Sequence, residues 1–130
     1  MNYIVISAVL GFLSVLIGAF GAHIAAQTLT ESLYKTLQVA IDYHQFYSLF
    51  LVVISLFNYQ ARDGFKFSKW VFNGALCGGC LFSGSLYLYV ITGIKSFAMI
   101  TPFGGILLIA TWAKVGLESY LYLKRKHQET

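Results

Sequence analysis

Charge is scarce in this chain. Asp, Glu, Lys and Arg make up 11% of its 130 residues, where a soluble domain carries about 25%, which argues against an ordinary soluble globule. The first 30 residues contain none of the four. A single proline and the absence of any low-complexity tract leave no linker between separate domains. No catalytic or nucleotide-binding signature is present either. The net charge of +4 is not clustered as a nucleic-acid-binding face would require, so no nucleic-acid partner is expected.

What is present is long and apolar. The run from Tyr3 to about Ala26 exceeds the roughly 7 to 15 residues of a signal-peptide core and has no basic segment before it, so it reads as a retained membrane helix. Further uncharged windows lie between Asp42 and Arg62, between Lys69 and Lys95, and from Ser96 to Ala113. A bilayer-crossing helix takes about 20 residues, so four of them leave no room for a second folded domain. The expected fold is all-α, one integral membrane bundle of four transmembrane helices at about 3–26, 30–60, 69–92 and 101–124.

Thr28 and Glu31 have the spacing of a capping box, and the second helix is expected to begin near Thr30. Glu31, Lys35, Gln38, Asp42 and Gln45 recur along one face of that helix while Leu33, Leu37 and Ile41 line another. This is an amphipathic stretch that enters the membrane from its surface. Arg62, Lys66 and Lys69 follow the second helix and Lys124, Arg125 and Lys126 follow the fourth, whereas the other connections carry only Lys35 and Lys95. That asymmetry places both termini in the cytoplasm. Trp70, Tyr120 and Tyr122 fall at the inner boundary and Tyr34, Tyr87 and Tyr89 towards the outer one.

Helix association in lipid depends on small residues and interhelical hydrogen bonds. Ser7, Gly11, Ser14, Gly18, Gly21 and Ala25 form a seam of 3.5-residue period. The third helix concentrates Gly74, Gly78 and Gly84 with Cys77, Gly79, Cys80, Ser83 and Ser85, which suits a central position. Pro102 stands where the fourth helix starts, and Gly104 and Gly105 after it suit either a closely packed first turn, the favoured reading, or a substrate-binding turn.

Three strings in order, Gly18-Ala19-Phe20-Gly21-Ala22-His23, Phe82-Ser83-Gly84-Ser85-Leu86-Tyr87 and Thr101-Pro102-Phe103-Gly104-Gly105, resemble the domain-of-unknown-function 423 family of small YgdD-like and YwdK-like membrane proteins. The resemblance covers nearly the whole chain, Trp112 included. It implies a multi-pass protein of the bacterial inner membrane without an assigned activity. The family's second helix tends to carry a Tyr-Gln pair and a His three residues after the Gln. The matching positions here are Tyr43, His44 and Tyr47, so a role of that second His does not carry over, although His44 lies within one turn of its place and could share its face.

With both ends cytoplasmic, His23, Asp42, Tyr43, His44, Tyr47, Ser83, Ser85, Tyr87, Thr92 and Thr101 fall in the outer half of the membrane. Ionisable groups there are costly and usually face the bundle interior or a wet cavity. Two readings stand, an outward-facing polar pocket with His23 and His44 as proton-labile groups, and a set of caps and interhelical hydrogen bonds, which is favoured. No metal is expected, since Asp42 and His44 point about 200° apart on one helix. Cys77 and Cys80 have the spacing of a thiol redox pair, but a membrane relay normally uses a second pair and these lie deep in an apolar helix, so small-residue packing is favoured. Lys114 and Glu118 are spaced for an ion pair, in the weaker order. The expected role is that of a non-enzymatic membrane component without cofactors, touching the lipid bilayer and acting as a homo-oligomer or beside a larger membrane partner. Solute transport is the alternative and thiol redox chemistry the third.

Overall fold

The computed structural model of the chain describes residues 2–61 and 64–128, so the expectation for Arg62 lies outside the described residues. Helix α1 runs over Asn2–Leu16, passes through a π-helical turn at Ile17–Gly21 and continues as α2, Ala22–Thr28. Helix α3 covers Glu31–Gln60, α4 Lys69–Thr92, a short α5 Lys95–Ala98, and α6 Thr101–Gln128. Four spans, Tyr3–Thr28, Glu31–Gln60, Lys69–Thr92 and Lys95–Gln128, are long and apolar enough to cross a membrane.

Local chemistry sets the helix ends. Thr28 is still helical, and its hydroxyl donates to the Ile24 carbonyl at 3.1 Å, so the capping box expected of Thr28 and Glu31 does not form. The cap is Thr30, extended at ψ 154°, whose Oγ1 accepts from the Leu33 N–H at 3.4 Å. Glu31 instead pairs with Lys35 at 2.6 Å on the open face. Helix α4 ends on Gly93 at φ +71°, the left-handed turn that a glycine accommodates without strain.

The helices pack in chain order. Helix α1 lies on α3, α3 on α4, and α4 on α6. At the end that holds the chain termini, Tyr3 meets Phe72 with ring centroids 4.3 Å apart. At the other end Ala25, Leu37 and Ile41 are buried together, with Tyr34, Tyr87 and Val90 packed against them. A second core of Tyr47, Leu51, Phe72, Ala75 and Leu108 joins α3, α4 and α6.

Small residues explain most of these contacts, though not all as expected. Ser7 and Ser14 are fully buried, and each returns its hydroxyl to its own helix, to the Tyr3 and Gly11 carbonyls. A Cβ on Gly18 would meet Gln45 and Ile41, and one on Gly11 would touch Ser48. At Gly21, by contrast, a Cβ would meet only Ile17 of its own helix. The π-helical turn inserts extra backbone there and breaks the 3.5-residue register, so Gly21 is not a packing glycine. Ala25 rejoins the contact, buried with Ile41.

The tightest approach is between α4 and α6. Added Cβ atoms would lie 2.5 Å from the Thr111 Oγ1 at Gly74, 2.6 Å from Leu108 at Gly78, and 2.6 Å from the Phe82 backbone nitrogen at Gly104. Backbone touches backbone at Gly104, which makes the start of α6 a packed turn. Gly84 is a correction: nothing lies within 4 Å of a Cβ there, because that side of α4 borders a cavity.

Candidate functional site

Helices α1, α3 and α4 each contribute one stripe to a crevice of about 300 Å³. Helix α3 forms its floor, since α1 and α4 both pack on α3 and touch each other mainly at their ends. Leu10, Leu13 and Ile17 form one wall, and Leu76, Cys80, Ser83 and Tyr87, at helical spacings of four, three and four, form the other. His44, Ser48 and Leu51 line the floor.

The polar groups in this apolar space are mostly spent on one another. His44 Nδ1 and the Tyr87 hydroxyl are 3.2 Å apart, with the rings edge to face at 5.9 Å. This side chain ties α3 to the α4 wall. Ser48 donates to the carbonyl of His44 at 2.7 Å. Ser83 differs: it is 3% exposed, and its buried hydroxyl has no partner among the described residues.

The other expected site residues lie elsewhere. Ser85 and Thr101 join α4 to α6 through a hydroxyl pair 2.7 Å apart, outside the crevice. The Tyr47 ring lines the crevice, but its hydroxyl turns the other way and accepts from Trp112 Nε1 at 3.2 Å. Tyr43 stacks on Phe82 with centroids 4.2 Å apart and, with the exposed Asp42, borders a separate recess. His23 is exposed on α2. Thr92 donates back to the Leu88 carbonyl at the end of α4. The single outward pocket holding both His23 and His44 is therefore corrected, because residues at one depth point in different directions around their helices. Cys77 and Cys80 are free thiols, and of the two only Cys80 borders the crevice.

Sequence reasoning passed over the clamp at the other end. Asn58 donates through Nδ2 to the Phe67 carbonyl at 2.9 Å and accepts through Oδ1 from the Phe67 N–H at 2.8 Å. Glu118 accepts from the Ser68 N–H at 3.0 Å and pairs with Lys114 at 3.5 Å. Phe65 stacks on Tyr122 at 4.9 Å. The α3–α4 connection is thus fastened to α6, and Lys66 and Arg125 border one recess beside it. An isolated Asn near a helix end carries no pattern that announces such a bracket.

Residues 17–105 match the model of the family described as Protein of unknown function (DUF423). The chain is 32% identical to the UPF0382 inner membrane protein YgdD of Escherichia coli, over 95% of this chain and 92% of that one. It is 29% identical to a UPF0382 membrane protein of Staphylococcus haemolyticus, over 93% and 97%. With the UPF0382 membrane protein YwdK of Bacillus subtilis it shares 28% identity over 93% and 98%. No solved structure matches significantly. Four membrane-length apolar helices, together with this match over most of its length, make the chain a multi-pass inner-membrane protein that belongs to the DUF423 family.

Proposed function

We propose that this protein is a non-enzymatic component of the membrane that works through its helix faces, as an accessory subunit or as a homo-oligomer, with both termini in the cytoplasm. The observation that carries the reading is the dispersal of its polar groups. Ser85 is spent on Thr101, Trp112 on Tyr47, and Tyr87 on His44, while His23 and Asp42 are exposed on different helices. Transport needs polar groups strung along one path across the bilayer, and these are used instead to fasten helix to helix. Broad apolar faces remain on α1 and α6, where Phe12, Val15, Ile106 and Ile109 are all more than 60% exposed. They suit lipid or another membrane helix. The orientation rests on Lys66, Lys69, Lys124, Arg125 and Lys126 sharing one end of the bundle, with Lys35 and Lys95 at the other.

Extraction in a styrene–maleic acid polymer with the native lipid retained, followed by native mass spectrometry, tests this. A stoichiometric partner or a second copy is the expected result. A monomer without a partner, or solute counterflow in proteoliposomes, would overturn it.

A further inference from the structure

Beyond that reading, we propose that the crevice between α1 and α4 is a binding site for an uncharged amphiphile with a carbonyl head and one apolar chain, of the isoprenoid quinone class. Its place in the membrane defines the occupant's shape. The lining on α4 runs from Ala75 to Tyr87, about 18 Å along the axis at 1.5 Å per residue. This exceeds half of a hydrocarbon core about 30 Å thick, so the crevice is long enough to take an extended apolar chain.

Its lining defines the chemistry. Among the described residues no Lys, Arg, Asp or Glu borders the crevice, and His44 is already engaged by Tyr87. A phosphate or carboxylate head would be buried there without a countercharge, at a cost of several kcal/mol. An uncharged head meets no such penalty. Most of the wall is apolar, which suits a prenyl or acyl chain, and beside Gly84, where an added Cβ would meet nothing within 4 Å, α4 leaves room for a ring.

Ser83 supplies the specific contact. Serines and threonines in membrane helices commonly return their hydroxyl to the carbonyl three or four residues back, as Ser7, Ser14, Ser48 and Ser85 do here. Ser83 does not, and its buried hydroxyl is unpartnered. It sits one turn from Tyr87 along the same wall. A buried, unspent O–H donor at the cavity wall calls for an acceptor, and a turn of the Ser83 side chain about χ1 towards the crevice gives its hydroxyl a quinone carbonyl while the chain follows Leu10, Leu51 and Leu76 inwards.

The test uses the full chain in phospholipid nanodiscs and a photoreactive azido derivative of decylubiquinone. Saturable labelling at one probe per chain, mapped to residues 10–17 and 76–87 and competed by unlabelled decylubiquinone, is expected. Ser83→Ala should weaken binding about 3- to 10-fold, the worth of one hydrogen bond, without loss of thermal stability, because it removes a hydroxyl that has no partner. Gly84→Leu, at a position where a Cβ meets open space, should block binding. If that variant unfolds, Ser83→Ala alone decides. Dodecyl phosphate, anionic at neutral pH, should fail to compete. Labelling scattered over the lipid-facing surfaces, unchanged affinity in Ser83→Ala, or equal competition by dodecyl phosphate would each overturn the proposal. None of these outcomes depends on whether the protein has a partner subunit.

Discussion

Glu118 of α6 accepts a hydrogen bond from the backbone N–H of Ser68, 50 residues earlier in the chain, at 3.0 Å. One carboxylate thereby satisfies a free N–H at the start of α4 and holds Lys114 at 3.5 Å. Removing it should cost more than the ion pair alone is worth. Glu118→Ala leaves the Ser68 N–H unpaired, a loss of about 1 to 3 kcal/mol. Glu118→Gln keeps an acceptor and should lose less. Thermal unfolding in detergent should rank the native chain first, Glu118→Gln second and Glu118→Ala last.

Asn58 both donates to and accepts from Phe67, so shape alone will not replace it. Asn58→Asp keeps the acceptor for the Phe67 N–H but sets a carboxylate against the Phe67 carbonyl. It should destabilise by about 1 to 3 kcal/mol, as much as Asn58→Ala does. If Asn58→Asp unfolds at the native temperature, the bracket does not hold the connection.

Two glycines, one tightly packed and one beside open space, give an internal control for packing. Gly104→Ala would push a methyl into the Phe82 backbone, and overpacking of this kind costs about 1 to 3 kcal/mol. Gly84→Ala meets nothing within 4 Å and should leave stability unchanged or raise it. Equal melting temperatures for the two variants would refute the close α4–α6 approach.

Ser85 and Thr101 share a hydrogen bond 2.7 Å long between α4 and α6. A double-mutant cycle with Ser85→Ala and Thr101→Val should return a coupling of about 0.6 kcal/mol, the typical value between membrane helices. A coupling indistinguishable from zero would mean that the two hydroxyls act separately.

Orientation can be read directly. With Cys77 and Cys80 changed to Ala, a single cysteine replacing Lys66 or Lys126 should react with an impermeant maleimide only when the cytoplasmic side is open. One replacing Lys35 should react from the outside. Labelling of positions 66 and 126 from opposite sides would reject the orientation.

Span number and helical class are legible in the sequence, because lipid leaves the backbone no hydrogen-bond partner outside the helix itself. The amphipathic start of α3 was legible for a similar reason: Glu31, Lys35, Asp42 and Gln45 are exposed while Leu37 and Ile41 are buried, as a 3.6-residue period requires. The candidate site was legible only as a depth. His44, Ser83 and Tyr87 share a crevice, whereas Ser85, Asp42 and His23 at comparable levels do not. Depth follows from counting residues along a helix, but direction depends on how each helix is rotated against its neighbours.

Residue order by itself determined that this chain crosses a membrane four times and which stretches do so, since the cost of burying charge in hydrocarbon acts on each segment separately. Tertiary structure alone decided that His44 meets Tyr87, that Gly104 rests on the Phe82 backbone, and that Ser83 is left without a partner. Those outcomes depend on helix rotation, on the π-helical turn at Ile17–Gly21 and on close packing between residues distant in the chain, none of which any single segment encodes.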